Sequence, residues 1–250
     1  MCLFCGCSVI LAVISCETRG GAPPGAAAGT RAGRRRFRSR GRSPTTQRVT
    51  AISQPPSRVV LGHDDVRRVV ARMAHDIDDR LRADEQGPLR LDPSRLALVG
   101  IRTGGAHLAM RLAAELQALR GTAPPVGLLD ITLYRDDVLA GGNMPLLRGS
   151  EVDFDVFGRP IVLVDDVLFT GRTVRAGLDA LLDLGRPSVV RLAVLVDRGL
   201  RELPIAGDFV GRALDTTKDE HVEVALVEEG AAADAVVVSL KRDRREGRAP

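Results

Sequence analysis

Apolar positions repeat with two different periods along this chain, and the change from one to the other marks out its elements. Val66, Val69, Val70, Met73, Ile77 and Leu81 recur at three- and four-residue spacing, which predicts an amphipathic helix over 64–82, with Asp64 placed to cap its start. Residues 96–101 form a short apolar run that ends in Arg102-Thr103-Gly104-Gly105. Leu108, Leu112 and Leu116 then share one helical face, so the pattern reads strand, tight loop, helix. A second apolar run, 126–134, leads into a polar, Gly-rich segment over 135–158, whose length suits a mobile functional lid better than a connector. Residues 161–164 give the clearest buried strand, Asp165-Asp166 the turn after it, and Val174, Leu178, Leu181 and Leu182 mark the next helix. Strands over 189–196, 222–227 and 235–240 complete the pattern. The alternation predicts an α/β domain over 59–245, a central, mainly parallel sheet flanked by helices.

Residues 1–58 carry no such period. They are rich in Gly, Ala, Pro, Ser and Arg, a text that cannot bury enough apolar surface to order itself, so a disordered extension is expected. GC-rich DNA translated upstream of a true start would read this way, and a basic nucleic-acid tail is the rival account. The apolar stretch 3–16 is too short to span a bilayer as a helix. Val13-Ile14-Ser15-Cys16 loosely resembles a lipoprotein box, but no positive residue precedes the stretch, so neither export nor membrane attachment is expected. The four cysteines sit at 2, 5, 7 and 16, which leaves the body without thiols and fits a reducing cytoplasm.

Charge sharpens the division. Residues 1–58 hold ten arginines against one acid, Glu17, a local charge of +9 in a chain of net +4, which leaves 59–250 at −5. A polyanion would therefore have to meet a local patch on an acidic body. With no Trp and one tyrosine, Tyr134, few side chains are left to stack on exposed bases.

The chemistry concentrates in Ile161-Val162-Leu163-Val164-Asp165-Asp166-Val167-Leu168-Phe169-Thr170-Gly171-Arg172-Thr173. Four apolar residues bury a central strand and bring two carboxylates to its carboxyl end, where open α/β sheets bind ligands. Thr170, Gly171 and Thr173 open a helix whose hydroxyls and N–H groups can enclose a phosphate at the positive end of the helix dipole. Both acids on that phosphate would repel it, whereas acids that accept hydrogen bonds from ribose hydroxyls beside a 5-phosphate would not. A Walker A loop is excluded by the absence of Gly-x4-Gly-Lys-Ser/Thr. An Asp-Asp metal or phosphatase site would want further acids or a Lys nearby.

This stretch resembles the phosphoribosyl diphosphate (PRPP) signature of the type I phosphoribosyltransferases. The segments at 99–105, 130–137, 177–181 and 195–204 are similar to the PyrR family, regulators of pyrimidine operons with uracil phosphoribosyltransferase activity. The likeness runs collinearly over about 60–240 and stops at the extension. It implies a type I phosphoribosyltransferase fold with a small hood, built from the chain ends and 200–220, and the conversion of uracil and PRPP to UMP and diphosphate. It also implies Asp165 and Asp166 on the ribose, Val167, Leu168, Phe169, Thr170, Gly171, Arg172 and Thr173 around the 5-phosphate, and Arg102, Thr103 and Gly104 on the pyrophosphate. Tyr134 and Arg135 belong to the lid, and Asp197 and Arg198 to the base side. Mg2+ is expected on PRPP itself, with no direct protein ligands. Many relatives carry a second basic residue where this chain has Gly104, which implies a weaker hold on pyrophosphate. Self-association and binding of a pyr mRNA leader are family expectations, the latter through Arg72, His75, Arg80, Arg201 and Arg212. Leu200 and Ala206 stand where RNA-binding relatives have His and Arg. A nucleotide-sensing regulator with weak catalysis, or an enzyme for another base, purine or orotate, are the alternatives.

Overall fold

The computed structural model describes residues 57–136 and 149–241. Residues 1–56 of the expected extension, Asp137 and half of the expected lid lie outside them, whereas Ser57 and Arg58, assigned to the extension, begin a strand paired with Ser239 and Val238. Five parallel strands form the central sheet in the order β3-β2-β4-β5-β6: β2 (Ala97–Ile101), β3 (Val126–Leu129), β4 (Pro160–Leu168), β5 (Val189–Asp197) and β6 (Phe209–Ala213). Three helices accompany it: α1 (His63–Gln86), α2 (Gly104–Arg120) and α3 (Arg172–Leu184). A second, antiparallel sheet of β1 (Ser57–Leu61), β8 (Ala235–Leu240) and β7 (Glu220–Ala225) makes the hood. The α/β architecture with a mainly parallel sheet is the one the pattern predicts.

Alternate side chains of β4 serve opposite cores, as strand geometry requires. Val162 and Val164 join Leu98, Leu195, the inner faces of α1 and α2, and hood residues such as Val222 and Val238. Ile161 and Leu163 join Val99, Ile101, Val194 and the α3 residues Val174 and Leu181. Burying one such side chain stabilises the fold by roughly 1.5–3 kcal/mol.

Several expectations are corrected. The first helix starts at His63 and runs to Gln86; Gly62 is its N-cap, and the Asp65 carboxylate, not Asp64, accepts from the Gly62 N–H at 3.0 Å. The 126–134 run is divided, because Asp130 Oδ1 accepts from the Thr132 N–H and hydroxyl and folds Thr132–Tyr134 into a 3-10 turn. Of the apolar residues read on α3, Val174 and Leu181 are buried, while Leu182 is 54% exposed. The hood sheet comes from the two ends of the described chain, as expected, but not from the 200–220 segment, whose Phe209–Ala213 is the edge strand of the main sheet, paired with β5. Its polar flanks hid a five-residue strand. The end of the expected lid is not loose either, since Glu151 bridges Leu128 and Val156 is buried in the core under α3.

Candidate functional site

Chain connections run in opposite directions from β2 and β4: α2 carries the chain outward to β3, while α3 carries it the other way to β5. The carboxyl ends of these two neighbours therefore flank a topological switch point, the usual ligand crevice of an open α/β sheet. The acids lie inside β4 rather than in a turn after it. Pairing of β4 with β2 stops at Gly100↔Val164, whereas pairing with β5 continues to Leu168↔Asp197. The carboxylates thus emerge where β2 has already turned away, with β5 still holding their backbone.

Asp165 is buried, its Oδ1 accepting from the Asp166 N–H at 3.0 Å and its Oδ2 making no hydrogen bond among the described residues. Burial, and then the neighbouring Asp166, push its carboxyl well above the ordinary aspartate range, with Arg135 pulling the other way. Asp166 is only half-buried and accepts from the Val167 N–H at 2.8 Å. Of the expected phosphate residues, Val167 and Leu168 end the strand, with Leu168 in the core. Phe169, Thr170 and Gly171 form the loop, and Arg172 and Thr173 open α3. Gly171 is the N-cap at φ +92°, a conformation glycine adopts without cost. Beside this loop lies a cavity of about 450 Å³ lined by Arg135, Asp136, Phe169, Thr170, Arg172 and Thr173.

The Arg102 loop closes the other side. Gly105 lets α2 start against β4, for a β-carbon there would lie 2.4 Å from the Val164 carbonyl oxygen. At Gly104 a β-carbon would meet Asp166 Oδ2 at 2.6 Å. Arg102 pairs with Glu151 at 2.6 Å, while its Nε is buried without a hydrogen bond. Glu151, which sequence reading passed over, faces Arg102 because its backbone exchanges two 2.7 Å hydrogen bonds with Leu128 of the adjacent strand.

Tyr134 and Asp136 are docked on α3: the tyrosine hydroxyl donates to Asp183 at 2.6 Å, and Asp136 receives Arg175 at 2.6 Å and Arg172 at 3.0 Å. Asp197 and Arg198, expected beside the base, are bonded to the protein itself. Asp197 accepts from the Gly199 N–H and from Arg201. Arg198 is buried, donates to Thr216, Thr217 and Glu220, and lies 4.3 Å from the centre of the Phe169 ring.

The expected RNA residues do not form one free patch. Arg72 donates to the Val210 and Gly211 carbonyls and pairs with Asp76, tying α1 to β6. Arg80 faces Asp84 at 3.3 Å, and Arg201 is spent on the loop after β5. His75 and Arg212 are exposed. Among the described residues no group of three or more His, Cys, Asp or Glu could hold a metal ion, and no helix is long and apolar enough to cross a membrane.

Comparison with known proteins places this geometry. Residues 63–229 match the model of the phosphoribosyl transferase domain. The chain is 49% identical over 179 residues to the bifunctional protein PyrR of Roseiflexus sp. (strain RS-1), covering 72% of this chain and 93% of the relative. It is 52% identical over 173 residues to that of Deinococcus deserti, covering 69% and 90%. Among solved structures, the hypoxanthine phosphoribosyltransferase of Trypanosoma cruzi aligns with a TM-score of 0.53 at 16% identity, covering 74% of this chain and 97% of that one, a likeness of fold.

Proposed function

The chain belongs to the PyrR group of the phosphoribosyl transferase domain family, and from that premise we propose that it transfers the phosphoribosyl group of PRPP to uracil, giving UMP and diphosphate. One observation carries the reading: the Arg102 loop and the 5-phosphate loop flank the same acidic pair, with Gly104 in direct contact with Asp166. A ligand that fills this site needs hydroxyls in the middle and an anion at each end. PRPP is such a molecule.

On this reading Asp166 and the more deeply set Asp165 accept hydrogen bonds from the ribose hydroxyls. Thr170, Thr173 and the N–H groups at the start of α3 receive the 5-phosphate. Arg102 and the Thr103-Gly104 backbone receive the leaving diphosphate, so Arg102 exchanges Glu151 for substrate. Transfer passes through an oxocarbenium-like centre, and the work of the site is to stabilise departing charge while excluding water. Tyr134, held against α3, and Arg135, which lines the cavity, guard the mouth of the phosphate site.

The residues fit Mg2+ that enters on the diphosphate itself, because among the described residues the site offers no cluster of three or more metal-ligating side chains, and Mg2+ tolerates few protein ligands. Bound there, it would neutralise charge on the leaving group. The base is assigned from the family, and so are a cytoplasmic location, self-association and a second role in controlling pyrimidine genes through a pyr mRNA leader. His75 and Arg212 are the exposed basic candidates for that role.

The test is uracil-dependent diphosphate release from PRPP and Mg2+, comparing the full chain with Asp165→Asn and Asp166→Asn, and uracil with hypoxanthine and orotate. Activity on uracil alone that both substitutions abolish supports the enzyme. A folded chain that binds UMP without turnover supports a sensing regulator instead.

A further inference from the structure

Three consecutive carbonyls of the phosphate loop are held from behind by one segment. The Leu168 carbonyl accepts from the Arg198 N–H at 3.1 Å, and the Thr170 carbonyl accepts from Glu202 and Leu203 at 3.0 and 3.1 Å. The Phe169 carbonyl between them accepts from Arg201 Nη1 at 2.9 Å. The same guanidinium donates to the Gly199 and Ile205 carbonyls at 3.0 and 2.9 Å and pairs with Asp197. It thereby closes the turn of 197–205 on itself while gripping the loop. In a planar trans peptide the N–H points opposite to the preceding carbonyl. Turning the carbonyls of 168–170 toward the 198–203 segment, with Arg201 holding the middle one, therefore turns the N–H groups of Phe169, Thr170 and Gly171 toward the opposite side of the loop, where the phosphate is assigned.

We propose that Arg201, anchored by Asp197, is a positioning residue for the 5-phosphate: it aims the amides of the phosphate loop and itself touches neither substrate nor a nucleic acid. The idea rests on the reading of 168–173 as a phosphate loop. It replaces the expectation that Arg201 meets RNA, since its donors are committed inside the protein at 23% side-chain exposure. A lysine could keep the pair with Asp197, but it lacks the planar fork needed to reach Phe169, Gly199 and Ile205 together.

The experiment compares the full chain with Arg201→Lys by calorimetric binding of ribose 5-phosphate, and by KM for PRPP and for uracil. The expected result is an affinity for ribose 5-phosphate and a KM for PRPP each weakened about tenfold, the scale of losing one charge-assisted hydrogen bond, with KM for uracil within about twofold. Unchanged affinity for ribose 5-phosphate overturns the proposal, and so does an equal rise in both KM values, which a general loosening of the fold would give. Should Arg201→Lys fail to fold, Asp197→Asn removes the anchor alone, and the same results decide. If the unaltered chain bound ribose 5-phosphate but did not use uracil, the assigned reaction would fail while the binding comparison still stood.

Discussion

Gly104 and Asp166 are packed against each other: a β-carbon on the glycine would lie 2.6 Å from the aspartate Oδ2 and 3.0 Å from its β-carbon. The space a side chain at 104 would need is thus taken by the acid itself. Gly104→Ala should push the Asp166 carboxylate aside. The expected loss in kcat/KM for PRPP is about tenfold, equivalent to ~1.4 kcal/mol of transition-state stabilisation. Steady-state kinetics checks this, and an unchanged value would mean that the carboxylate has room to yield.

Asp165 sets function against stability. Its carboxyl is raised because the folded state buries it, and beyond that because Asp166 adjoins it. The linkage sign follows: the folded state favours the protonated acid, so this group's relative contribution is fully present below the ordinary value of 3.8 and is lost as pH rises through the higher folded value. Asp165→Asn, which stays neutral, should therefore raise the melting temperature near neutral pH while abolishing turnover. The advantage should shrink as pH falls. Melting curves over a pH series give the answer, and a variant less stable at neutral pH would sink the argument.

The hood is fastened by charge. Arg111 of α2 reaches Asp234 at 2.7 Å and Glu228 at 2.5 Å, and the Asp234 side chain is 2% exposed. Removing the cation strands a buried carboxylate, so Arg111→Met should cost on the order of 3 kcal/mol. Arg111 hydrogen bonds hold both acids below their ordinary values of 3.8 and 4.5, which makes their contribution present above those values and lost as pH falls below them. Denaturant titration reads the first effect. Hydrogen exchange in β7 and β8, accelerated in acid ahead of the main sheet, reads the second.

Asp136 separates docking from stability. Its partners Arg172 and Arg175 are 54% and 42% exposed, and pairs of that kind contribute about 0–1 kcal/mol to folding. Asp136→Asn should leave thermal unfolding nearly unchanged yet raise KM for PRPP a few-fold, because the Tyr134–Asp136 turn loses its seat beside the phosphate cavity. Asp136 and Arg175 substitutions should be non-additive in a double-mutant cycle.

The sequence made the fold legible wherever burial was two-sided or strictly periodic. β2, β4 and α1 could be read because their apolar positions leave one interpretation of period. β6 and β1 could not, since each is five residues long at a sheet edge and half-exposed, so its pattern is diluted. At the candidate site the order of Asp165, Asp166, Thr170, Gly171 and Thr173 carried the proposed chemistry. Partners far away in sequence were invisible. Nothing in the text reveals that Glu151 faces Arg102, or that Arg201 grips Phe169, because those pairings depend on where two loops come to rest. Family resemblance assigned Arg72 and Arg201 to a nucleic-acid surface, whereas the structure has both donating to backbone carbonyls.

The pairing of β1 with β8 also dictates an order of events. Ser57 lies opposite Ser239, so the first described strand finds its partner only in the last. On a ribosome, the parallel sheet and its phosphate loop can assemble while β1 waits with an open edge, exposed until residue 240 has emerged. Contacts so distant in sequence form late and slowly. The half that carries Asp165, Asp166 and the 169–173 loop should therefore be structured before the hood sheet packs on it, leaving an unpaired strand as the nascent chain's point of vulnerability to aggregation.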